Sequence, residues 1–126
     1  MKPILKDIHS PNIYDFDHIT EIDQSRSFCV PIQAFFGLDG DVATDSFSFL
    51  FCNGDYLKRK VEENGFIVGR LMIVVDQLSR EIIEKALISI AEQIEGTDWT
   101  DVANKLNRYG QWEFEDYRPF QEEQSP

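Results

Sequence analysis

Histidine and cysteine are scarce in this chain: His9 and His18, Cys29 and Cys52 are all it has. Those side chains most often ligate transition metals or act as bases and nucleophiles near neutral pH. The histidines lie close to the N-terminus, and neither a G-x-S-x-G motif nor an activated-cysteine signature accompanies them. The cysteines lack C-x-x-C spacing and are too few for a disulfide scaffold, so we expect two small apolar thiols rather than a redox or zinc site. "HSPNIYDFDH" gathers His9, Asp15, Asp17 and His18 without any established ligand spacing, so no metal is expected. The seven glycines are scattered as turn and helix-end residues, which excludes a phosphate-binding loop. No cofactor is expected.

Basic residues are few as well. Twelve Lys and Arg stand against twenty-three Asp and Glu, a formal net charge of -11. A field of that sign repels phosphate backbones and anionic lipid, which argues against nucleic acid or a membrane surface as direct partner. Long apolar runs are missing too. The longest, "LMIVV", is bounded by Arg70 and Asp76, far short of the ~20 residues that span a bilayer. The opening "MKPILKDIHSPNIYDFDHITEID" has no apolar core of a secretory signal, so a cytoplasmic location is expected.

What the chain does contain suits one packed core. With 126 residues, 42% hydrophobic and 13% aromatic, it is long enough for one domain and short for two. We expect a single domain over 1–120 and an acidic, disordered tail over 121–126. The acidic excess fits a basic protein partner, whose encounter it would steer, and it equally serves solubility.

Apolar periodicity sets the expected elements. "SFCVPIQAFF" places Phe28, Val30, Ile32, Ala34 and Phe36 on one face at period two, and "DSFSFLF" does the same with Phe47, Phe49 and Phe51. Asp39-Gly40 between them signals a tight hairpin. Closure on Gly40-Asp41 sets Cys29 opposite Cys52, and closure on Asp39-Gly40 sets it opposite Leu50; both keep the phenylalanines together. Pro31 has no N–H, so its strand must lie at an edge, at a bulge, or with that nitrogen turned from its partner. "NGDYLKRKVEENG" reads as a short helix capped by Asn53 or Asp55 and ended at Asn64-Gly65. "FIVGRLMIVVD" reads as a central strand with Gly69 as a bulge.

In "SREIIEKALISIAEQIEG", Ile83, Ala86, Leu87, Ile90 and Ile94 form the stripe of the strongest helix, opened by Ser79 and stopped by Gly96. "TDWTDVANKLNRYG" gives a third helix, and "QWEFEDY" a last strand. Residues 10–25 follow no clean period. The order implies an α+β fold: a largely antiparallel or mixed sheet of four to five strands, with about three helices packed on one face.

On that last strand, alternation turns Trp112 and Phe114 inward as supports and presents Glu113, Glu115 and Tyr117 outward beside Asp116. Strand geometry sets the two glutamates about 7 Å apart, a spacing found in inverting glycosidases. Nothing else in the sequence suggests a cleft, a raised carboxyl pKa or sugar-binding groups. A solvated acidic strand face explains the pattern without catalysis.

Four stretches carry a resemblance: "MKPILKDIHSPNI", "SFSFLFCNGDYL", "GRLMIVVDQ" and "WTDVANKLNRYGQWEFEDY". Through them the chain resembles the Immunity protein 8 family of bacterial polymorphic-toxin systems, small cytosolic α+β proteins that neutralise a toxin encoded beside them. The resemblance implies a binding protein without catalytic residues. Together with the charge, it points to an acidic surface that covers the active site or substrate groove of a cognate toxin with a basic surface. Glu113, Glu115, Asp116 and Tyr117 are one candidate contact set, and Asp15, Asp17 and Asp23 are the other. A small acidic adaptor module, or a carboxylate-dependent hydrolase acting through Glu113, remain the alternatives.

Overall fold

The structure is a computed structural model that describes residues 1–115. The tail expected over 121–126, like Asp116, Tyr117 and Phe120, lies outside the described residues. In chain order the elements are β1 (Ile4–His9), β2 (Cys29–Gly37), β3 (Asp45–Cys52), α1 (Gly54–Asn64), β4 (Met72–Val74), α2 (Arg80–Glu92), α3 (Trp99–Leu106) and β5 (Gln111–Trp112). Among the described residues the fold is α+β, a five-stranded mixed sheet with three helices.

The phenylalanine face organises it. Val30, Ile32, Ala34 and Phe36 of β2 and Phe47, Phe49 and Phe51 of β3 are almost wholly buried in one core with Ile83 and Leu87 of α2 and Val102, Ala103 and Leu106 of α3. Edge-to-face packing of Phe36 on Phe47, with ring centroids 5.7 Å apart, adds directional contact to that burial. Caps fix where the helices start. Asn53, Ser79 and Asp98 each accept a hydrogen bond from a backbone N–H of the first turn. Gly65, in the left-handed region at φ 85°, closes α1 as expected. Helix α2 ends at Glu92, before Gly96, which instead exchanges two backbone hydrogen bonds with Met1. Helix α1 has no buried residue, and its Tyr56 lies against Cys29 and Cys52 on the side of the sheet opposite the phenylalanines.

Strand β3 is the hub. It pairs antiparallel with β2 along its whole length, and its other side carries two short strands end to end, β5 against residues 47–48 and β4 against 50–52. The register sets Cys29 opposite Cys52. The connection is wider than a tight hairpin, however. Seven residues separate β2 from β3, and the Asp39-Gly40 turn, closed by Asp41 N–H donating to Leu38 O and with Gly40 at φ 78°, sits inside that loop.

Backbone direction explains Pro31. The Leu50 N–H donates to Leu71 O at 2.9 Å, Cys52 O accepts from Val75 N–H at 2.8 Å, and Ser46 O accepts from Glu113 N–H at 3.0 Å. Alternate residues of β3 therefore aim their polar backbone away from β2. Pro31 faces Leu50 in this set, so its missing N–H costs the β2–β3 ladder nothing.

Two expected strands are shorter than their sequence patterns. The run from Phe66 to Asp76 does not form a central strand: only Met72–Val74 pairs, parallel to β3 at the sheet's edge. Gly69 and Leu71 make a turn ahead of it, with Leu71 forced to φ 75° and Met72 N–H bonded to Gly69 O, and Phe66 and Val68 are left 67% and 74% exposed. Apolar composition alone does not distinguish such a loop from a buried strand. The last strand stops at Trp112, because the chain turns over 113–115 and Glu115 N–H bonds back to Trp112 O at 2.9 Å.

Candidate partner-binding site

The turn after β5 changes the role of the C-terminal acids. Glu113 and Glu115 do not project side by side from a strand. The Glu113 carboxylate accepts the Ser46 N–H at 2.9 Å, extending the β3–β5 edge. Glu115 accepts from Arg70 at 2.8 Å and from Asn107 at 3.2 Å, and these partners hold its carboxyl below the usual range, Arg70 contributing most. Asn107 in turn accepts the Trp112 N–H at 2.8 Å. This polar brace ties β5 to the end of α3 and to the β4 approach. The extended strand from which a glycosidase-like spacing was expected is therefore not formed. Trp112 does support the strand, stacked on Phe47 with ring centroids 6.3 Å apart. Phe114 folds onto the Trp112 ring edge-on at 5.8 Å and is part exposed, a consequence of the turn. Asp116 and Tyr117 lie outside the described residues.

The second acid set occupies a loop with its own anchors. Residues 10–25 contain Asp15, Asp17, Glu21 and Asp23 and no Lys or Arg. The stretch has no regular secondary structure, yet Ile13 and Phe16 are buried in the main core and Ile19 and Ile22 pack against it. Polar contacts fix the rest. The Ser10 hydroxyl donates to Pro31 O at 2.6 Å, and the Gln24 side chain both donates to Leu78 O and accepts Leu78 N–H. Arg80, at the start of α2, donates to Asp17 at 2.6 Å and lies over the Phe16 ring.

The acids themselves stay at the surface. His18 and the Asp17 N–H hold the Asp15 carboxyl below its ordinary value, the Tyr14 N–H does the same for Glu21, and the Ser25 hydroxyl for Asp23. Each thus stays ionised to lower pH than a free carboxyl. Tyr14, between them, is 97% exposed. No group of three or more His, Cys, Asp or Glu among the described residues is placed to hold a metal ion, and no described helix is long and apolar enough to cross a membrane.

Asp45 belongs to no motif in the sequence, yet it holds a corner of the fold. Its Oδ2 accepts both indole N–H groups, from Trp99 at 2.7 Å and from Trp112 at 3.1 Å, pinning α3 and β5 to the start of β3. A signal was present: Asp45 is in phase with Phe47, Phe49 and Phe51, and a carboxylate on a core-facing period requires donors. Arg70 and Asn107 gave no comparable sign, since their role depends on the turn that brings Glu115 back to them.

A mixed sheet backed by helices, with an anchored acidic loop at its surface, defines a small α+β protein. The family described as Immunity protein 8 matches residues 4–117, and the chain belongs to that family. No curated protein and no solved structure matches it. The family assignment supports an immunity role in a toxin system, implies a toxin as partner, and argues for a protein that is not an enzyme.

Proposed function

We propose that the chain is an immunity protein that inhibits a cognate bacterial toxin by occupation, laying an acidic surface over a basic active site or substrate groove. The observation that carries this reading is the loop over 10–25. It carries four surface carboxylates and an exposed Tyr14, on a backbone fixed by the buried Ile13 and Phe16. Pre-ordering lowers the entropy cost of binding, and an exposed aromatic beside charges is the composition of an interface anchor. Charge steers the encounter and apolar contact holds the complex. Because Glu113 and Glu115 brace the fold, this loop is the better of the two candidate contact sets; Asp116 and Tyr117 would add to it only if the partner reaches the C-terminal side.

The test uses the toxin encoded beside this chain. Asp15→Asn/Asp17→Asn/Asp23→Asn, shown to be folded by circular dichroism, should bind that toxin at least tenfold more weakly, a loss of about 1.4 kcal/mol. The loss should lie mainly in the association rate and shrink as salt is added. Undiminished binding and protection by this variant would remove the loop from the mechanism. Loss through Glu113→Ala/Glu115→Ala/Asp116→Ala alone, with that variant shown to be folded by the same measure, would move the site to the C-terminal side.

A further inference from the structure

The two cysteines meet across the hairpin. Cys29 and Cys52 are direct partners in the β2–β3 register, on the face opposite the phenylalanines. Their pair is of the non-hydrogen-bonded kind, because Cys52 O accepts from Val75 N–H across β4, whereas the neighbouring Asn53 N–H donates to Phe28 O across β2. Directly opposed residues of that kind have Cα atoms about 4.5 Å apart with their side chains closest. A disulfide accepts Cα separations of about 4.4–6.8 Å. Both thiols are free, Cys29 half-buried and Cys52 buried, and Tyr56 of α1 lies against the pair. The typical separation of such a pair lies within the range that a disulfide spans.

We propose that Cys29 and Cys52 form a cross-strand dithiol that a low-molecular-weight disulfide oxidises to an intramolecular disulfide. The Cys29 thiol, the one solvent reaches, loses its proton and attacks one sulfur of the oxidant, releasing one equivalent of its thiol and leaving a mixed disulfide on Cys29. The Cys52 thiol then loses its proton, attacks the Cys29 sulfur and expels the second thiol. Two protein thiols are oxidised and one disulfide is reduced to two thiols. The bond closes a loop over residues 29–52, which contains both long strands and their connection, and so restricts the unfolded chain. The pair lies on the sheet face away from the α2–α3 core, so oxidation leaves the phenylalanine packing intact.

The experiment incubates the reduced full chain with oxidised glutathione and follows intact mass, peptide mapping and thermal unfolding. The expected product is a monomer lighter by two hydrogens, with Cys29 and Cys52 peptides joined, a raised Tm, and full reversal by dithiothreitol. Cys52→Ala should instead retain one glutathione, on Cys29, and Cys29→Ala should stay unmodified while folded. Persistent glutathionylation of the wild-type chain, disulfide-linked dimers, or thiols that stay unmodified while the urea-unfolded chain is oxidised would each overturn the proposal. Glutathione held at Cys52 in Cys29→Ala would overturn the order of attack.

Discussion

A single carboxylate holds the corner where α3, β5 and the start of β3 meet. Asp45→Ala deprives two part-buried indole N–H groups of their common acceptor, and we expect a loss of about 1–3 kcal/mol, read as a lower urea midpoint with unchanged slope. Asp45→Asn keeps an acceptor oxygen and should lose less. Packing is as tight nearby. A Cβ at Gly110 would lie 2.4 Å from the Phe49 ring, so Gly110→Ala forces that buried ring to move. An overpacking cost of about 1–3 kcal/mol follows, measurable as a drop in Tm. Neither residue touches the acidic loop, so both variants should still bind the toxin at temperatures where they are folded.

Among the elements, the C-terminal turn depends most on charge. Glu115→Gln keeps the shape but removes the ion pair with Arg70, and amide exchange over 111–115 should quicken while that of β2 and β3 stays slow. The elements also show what was legible in the sequence. β2 and β3, the Ser79 cap and the core face of α2 followed from period and local chemistry, because each is decided within a few residues. The stretch around Gly69 and the acids after Trp112 did not. Phe66 and Val68 look like core residues until Leu71 takes a left-handed turn, and Glu113 looks solvent-facing until Ser46, far back in the chain, presents its N–H. The loop over 10–25 was unreadable for the same reason: Ile13 and Phe16 are core residues chosen by tertiary position, not by period.

For the whole molecule, pH dependence should follow the carboxylates. Asp15, Asp23, Asp101 and Glu115 are all held below their ordinary values of 3.8 and 4.5, chiefly by hydrogen bonds from His18, Ser25, the Thr97 N–H and Arg70 respectively. The unfolded chain then binds more protons than the folded one in that range. Their contribution is complete above the ordinary values and is lost as pH falls through the depressed ones. Thermal melts should therefore hold a steady Tm down to about pH 4.5 and fall below it, less steeply in Glu115→Gln. A further consequence is optical. Both tryptophans of the chain converge on Asp45, opposite Phe36, which in turn pairs with Leu5 at the start of β1, whereas the acidic loop leaves from the other end of that strand, about 20 Å along it for six residues. Intrinsic tryptophan emission will therefore report on docking of the C-terminal corner and stay blind to a toxin seated on the loop, so a flat fluorescence titration would not mean that nothing had bound.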